Sequence, residues 1–205
     1  MDSASAGVKS VNVGRPLSAT IAELISPVDE RMTAAVLFNA LGSRSFGSVL
    51  MVMALPAILL PPGASAVLGA PLLIVSAQLF SGRSVPTLPR ALGRLSLSRD
   101  RSNKALAQAA DLARKVERLL KPRLQGLLAP WHVRVVAAAC AMLSIVLILP
   151  TPIAHTAAGL GIVAFGAGLA QHDGAGLLAG WVSTVACCAI LAAMVAALIF
   201  GLRLF

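Results

Sequence analysis

The chain has 205 residues, 58% of them hydrophobic and only 12% charged, with a mean hydropathy of +0.86. A soluble domain carries roughly 25% charged residues, so half that share, gathered in clusters, excludes an ordinary soluble globule and points to a polytopic membrane protein. The net charge of +9 lies between Arg83 and Arg134, where twelve Lys or Arg face three acids. That placement fits a cytoplasmic loop under the positive-inside rule and argues against a nucleic-acid partner.

Residues 1–16 are small and polar, and the composition predicts disorder there. The first 30 residues contain no apolar signal-peptide core, so insertion is expected to fall to internal blocks. Residues 17–44 read as short interfacial helices. Thr20 and Glu23 have capping-box spacing, and Ser26-Pro27-Val28-Asp29 is a second helix start.

Residues 45–82 form the first of two membrane hairpins. Ser45 to Gly82 is 38 residues without a charge, too long for one span of ~20 residues and slightly short for two. The reading is two short limbs, Phe46–Pro61 and Ala64–Phe80, which either just cross the bilayer twice or enter and return on one side. Pro56 removes a backbone donor, Pro61-Pro62 ends the helix and Gly63 permits the turn. Gln78 is the amide near the far end of the return limb.

Residues 83–131 are the basic segment. Leu106, Ala109, Leu112, Val116, Leu119 and Leu120 form an apolar stripe, with Arg114, Lys115, Arg118 and Lys121 largely off it. This predicts an amphipathic helix on the anionic lipid head groups of the cytoplasmic leaflet. Packing on a partner protein or a second copy is the alternative.

Residues 132–174 repeat the pattern of 45–82. Val135 to His172 is again 38 residues without Asp, Glu, Lys or Arg, broken at Pro150-Thr-Pro152 and closing at Gln171-His172-Asp173-Gly174. Residues 175–205 supply one final transmembrane helix. Leu55-Pro56 aligns with Leu149-Pro150, and Gln78 then falls near Gln171. Paired, proline-broken apolar segments are a pointer to a binding site at a repeat interface. The alternative is a duplicated scaffold whose prolines only kink helices. A homodimer is plausible from the small-residue faces.

Candidate chemistry is sparse. Cys140, Cys187 and Cys188 have no metal-ligand or CxxC spacing, and neither a metal nor a cofactor is expected. His155 is the ionisable group deep in a broken hairpin. It is read either as a functional site or as a neutral ring donating to a carbonyl freed by Pro150 or Pro152. Asp173 is read as a turn residue before Gly174. No nucleophile with a base partner is discernible, so an enzyme is not expected.

Taken in order, RSFGSVLMVMALPAILLPPGASAVLGAPLLIVSAQLFSGR, RLSLSRDR, ERLLKPRL and LPTPIAHTAAGLGIVAFGAGLAQHDG resemble the ExoD family of exopolysaccharide-synthesis membrane proteins, from about Leu17 to Leu198. The resemblance implies a bacterial inner-membrane, multi-pass protein acting in exopolysaccharide production. Pro56, Pro61, Pro62, Gly63, Pro150, Pro152, Asp173 and Gly174 match the family pattern. Ala57 and Ala154-His155 depart from it, since the family commonly has Asn after the first LP and Gly-Asn after the second PxP. Gln171-His172 stands where Glu-Arg is common. The expected function is a non-enzymatic accessory that handles a lipid carrier or polymer precursor. The alternative is a small transporter or channel for ions or protons.

Overall fold

The computed structural model describes residues 46–60, 65–83, 85–87, 108, 111–112, 114–115, 129–149 and 151–203. The expectations for 1–16 and 17–44 fall outside these residues, as do Pro61, Pro62, Gly63, Pro150, Arg118 and Lys121. Five helices organise the described chain: α1 (Phe46–Leu59), α2 (Ala66–Phe80), α3 (Pro130–Ile148), α4 (Pro152–Gln171) and α5 (Gly174–Arg203). Three of them, α3, α4 and α5, are long and apolar enough to cross a membrane.

The two hairpins differ in reach. α1 and α2 have 14 and 15 residues, about 21–23 Å at 1.5 Å per residue. α3 and α4 have 19 and 20. The second hairpin exceeds the length expected from its uncharged block because α3 starts early. Pro130 occupies the first turn of α3 after Ala129. A proline is tolerated there because its missing N–H would have no helical partner.

The hairpins do not stack as separate units. α1 packs chiefly against α4, and α2 against α3, while contacts within each hairpin are less extensive. α1 is the centre: twelve of its fourteen residues are buried. A helix apolar all round and buried all round needs close neighbours, and glycine supplies them. A Cβ on Gly47 would stand 2.5 Å from the Ala170 nitrogen and 2.6 Å from the Gly166 carbonyl oxygen. One on Gly166 would stand 2.6 Å from the Met51 nitrogen. Backbone meets backbone here, the small-residue contact by which membrane helices associate.

α5 turns back along α4 after a tight corner. His172 takes the left-handed conformation (φ 53°) and the Asp173 N–H donates to the Gly168 carbonyl at 2.9 Å. Asp173 Oδ1 then accepts the Ala175 N–H at 3.0 Å, capping the start of α5. Gly176 lies against Gly168, Phe165 meets Trp181 edge-on at 5.5 Å, and Ser183 Oγ donates to the Ala157 carbonyl at 2.8 Å. Cys187 Sγ reaches the Ala154 carbonyl at 3.6 Å. Ile190 and Leu191 are the last α5 residues packed on the core, and residues 192–200 are exposed on every side.

The alignment of Leu55-Pro56 with Leu149-Pro150 does not match the helices. Pro56 lies inside α1, with the Leu60 N–H still donating to its carbonyl at 3.2 Å, whereas α3 ends at Ile148, ahead of position 150. The position in the first hairpin that corresponds by helix end is Leu60-Pro61.

Candidate functional site

The hairpin tips form one polar locus inside an apolar protein. Proline has no N–H, so Pro61 cannot donate to the Ala57 carbonyl four residues earlier. His155, in the first turns of α4, fills that place: its ring hydrogen-bonds the backbone of Ala57. The carbonyl is therefore freed by Pro61 of the other hairpin, not by Pro150 or Pro152. The opposite pair is similar. The Thr151 N–H turns to Leu149 at 2.8 Å, which leaves the Leu147 carbonyl to accept the Ser65 hydroxyl at 3.4 Å. Thus the start of each return helix carries a polar side chain that serves the end of the other hairpin's outbound helix.

Two atoms at this locus remain without a protein partner. His155 is 2% exposed, and its Nε2 is buried and unpaired; Thr151 Oγ1 is buried and unpaired as well. The His155 N–H donates to the Thr151 carbonyl at 3.0 Å, the first bond of α4, with Thr151 itself extended ahead of the helix. An unpaired buried polar group costs about 1–3 kcal/mol.

The remaining residues singled out from sequence separate into other places. Gln78 is at the far end of α2, where its amide both donates to the Thr87 carbonyl (2.6 Å) and accepts the Thr87 N–H (2.7 Å). It pins the loop that leaves the hairpin. Gln171 and Asp173 lie at the α4–α5 corner, twenty residues of helix, or about 30 Å, from the tips. The structure therefore brings His155 to Ala57 near the end of α1 and leaves Gln78, Gln171 and Asp173 at the opposite end. Of the basic helix, residues 108, 111–112 and 114–115 are described, all helical. Leu112 packs on the core, and Arg114 is exposed and paired with Asp111.

A second feature was not legible as a site. α3 and α5 barely touch, and between them lies an apolar cleft of about 160 Å³ lined by Trp131, His132, Val135, Val136, Leu177, Leu178 and Trp181. Trp131 stacks on His132 with ring centroids 3.7 Å apart. That both tryptophans line one cleft depends on the packing of α3 and α5 against α4.

Across the described residues no group of three metal-ligating side chains occurs. The family model for exopolysaccharide synthesis, ExoD, matches residues 17–193. The chain belongs to the ExoD family. It is thus a membrane protein related to exopolysaccharide synthesis, which its apolar helices independently support. No curated protein and no solved structure matches it.

Proposed function

We propose that this ExoD-family chain is a non-enzymatic, multi-pass protein of the bacterial inner membrane that handles a lipid carrier or polymer precursor. The observation that carries this reading is the Trp-lined cleft between α3 and α5. It is apolar, open at the side of the bundle and level with the end of the basic segment, which leads directly into α3. An acyl or isoprenoid chain fits such a wall, and cations near the head group favour an anionic lipid.

The hairpins, in this reading, re-enter rather than cross, and α5 is the ruler. From Trp181 to Arg203 is 22 residues, about 33 Å, close to the ~30 Å hydrocarbon core. The tips are level with Cys187, so 16 residues of α5, about 24 Å, extend past them. If the tips reached the far surface, that extension would stand in water. Met194, Val195, Leu198, Ile199 and Phe200 are all exposed there, and five such side chains at about 1.5–3 kcal/mol each amount to on the order of 10 kcal/mol. Tips that stop inside the bilayer avoid this cost. The pairing of α1 with α4 and α2 with α3 is also what an internal repeat would give, because exchanging the hairpins maps one pair onto the other. Residue 1 and the basic segment then lie inside and residue 205 in the periplasm.

The test uses single cysteines at Ile153 and Phe205 in a chain lacking Cys140, Cys187 and Cys188. Position 205 should react with impermeant thiol reagent from the periplasm while position 153 is shielded from both sides. Equal labelling of 153 and 205 from the periplasm overturns the re-entrant arrangement. Lipid handling is read separately, by native mass spectrometry of lipid retained after release from nanodiscs. Neutralising Arg114, Lys115 and Arg118 should lower the preference for anionic lipid roughly 100-fold, at about 1 kcal/mol per charge. An unchanged preference refutes it. The second reading, a transporter or channel for ions or protons, is favoured by the unpaired Nε2 of His155.

A further inference from the structure

Three features are candidates for a further role: the overhang of α5, the unpaired Nδ1 of His132 in the cleft wall, and the tip locus around His155. Nothing shows what covers the overhang, and His132 is only half-buried. The tip locus carries an inference.

We infer that His155 and Thr151 form a proton-accepting site at the hairpin tips, with Nε2 as the acceptor and the Thr151 hydroxyl as the adjoining relay. The ring nitrogen that faces the Ala57 carbonyl must carry hydrogen, because a carbonyl only accepts. That nitrogen is Nδ1, since Nε2 has no partner. In the neutral ring Nε2 is then a bare lone pair. The Ala57 carbonyl, which Pro61 with no N–H cannot serve, holds this tautomer in place. A second acceptor-capable oxygen, Thr151 Oγ1, lies on the residue that caps α4 and is also buried and unpaired. A lone pair and a hydroxyl select a hydrogen-bond donor and repel an anion.

The charge balance fits a proton better than a metal cation. α1 and α4 contain no Asp, Glu, Lys or Arg, α5 contains only Arg203, sixteen residues past the level of the site, and α3 contains only Arg134 near its opposite end. Cys187 is committed to the Ala154 carbonyl and Ser183 to the Ala157 carbonyl. No carboxylate among the described residues could neutralise a resident cation. A proton needs only the one lone pair. It passes from a water or hydroxyl to Nε2 and leaves the conjugate base behind. The ring becomes imidazolium while the Nδ1–H bond to Ala57 is kept, and release reverses the step. This deepens the transporter reading and does not depend on the lipid-handling one.

The test follows the ring itself. The chain contains three histidines, so the full-length variant His132→Gln/His172→Asn leaves His155 as the single reporter for ¹⁵N NMR in nanodiscs. At about pH 9, above the ordinary imidazole range, the expected spectrum shows protonated Nδ1 and bare Nε2. Acidification to about pH 4 should replace the bare-nitrogen signal with that of a doubly protonated ring. Adding Thr151→Val should slow exchange of the new ring proton with solvent. A bare Nε2 that persists at the acidic end, or a proton on Nε2 rather than Nδ1 at the basic end, overturns the inference. A purely packing histidine gives the first of these results, and failure of the anionic-lipid test leaves both untouched.

Discussion

Gly166→Ala tests the central contact of the bundle, the crossing of α1 and α4. The added methyl would stand 2.6 Å from the Met51 nitrogen, 2.8 Å from the Gly47 oxygen and 3.0 Å from Met51 Cα. Ordinary contact begins near 3.4 Å, and all three atoms are backbone, so no side chain can swing aside. The helices must separate by most of an ångström, and overpacking of this kind costs about 1–3 kcal/mol. Alanine also improves helix propensity by about 1 kcal/mol relative to glycine, which hides part of the loss. Gly201→Ala isolates the difference, because a Cβ there meets nothing within 4 Å and only the propensity gain remains. The two variants should therefore differ by about 1–3 kcal/mol, with Gly166→Ala the less stable. The assay is equilibrium unfolding of purified protein in mixed micelles, followed by the fluorescence of Trp131 and Trp181. Equal shifts for the two variants would refute close backbone contact between α1 and α4.

The α4–α5 corner gives two further predictions by the same assay. Asp173→Ala should lose about 0.5–2 kcal/mol through the cap to Ala175, while Asp173→Asn retains most of it. His172→Gly should gain about 1 kcal/mol by relieving the left-handed backbone. Gly82, at the end of α2, has φ +73°, so Gly82→Ala should lose about 1 kcal/mol, read as a lower unfolding midpoint.

Helix ends were legible in this sequence because covalent chemistry decides them. α1 ends at Leu59, two residues ahead of Pro61, and α3 at Ile148, two ahead of Pro150. The partner of His155 was not legible. Pro150 and Pro152 are its sequence neighbours, and the carbonyl it serves belongs to residue 57, almost a hundred positions away. That contact exists because α4 packs on α1 instead of on α3 alone, and helices that are apolar on every face carry no stripe from which a neighbour can be chosen. Gln78 shows the same limit from the other side. An isolated amide in an apolar helix suggests a buried ligand, yet its two hydrogen bonds hold the Thr87 backbone at the surface.

The cross-pairing has a consequence for how the fold holds together. The end of α1 meets His155, and the end of α3 accepts Ser65, so each hairpin has a terminal carbonyl that a side chain of the other serves. In hydrocarbon no water can take that role, and an unpaired group there costs several kcal/mol. The two helix ends therefore stabilise one another across the hairpins. This explains why Nε2 of His155 stands apart: every other polar side-chain atom named at the tips, except the Thr151 hydroxyl, is occupied in closing the breaks.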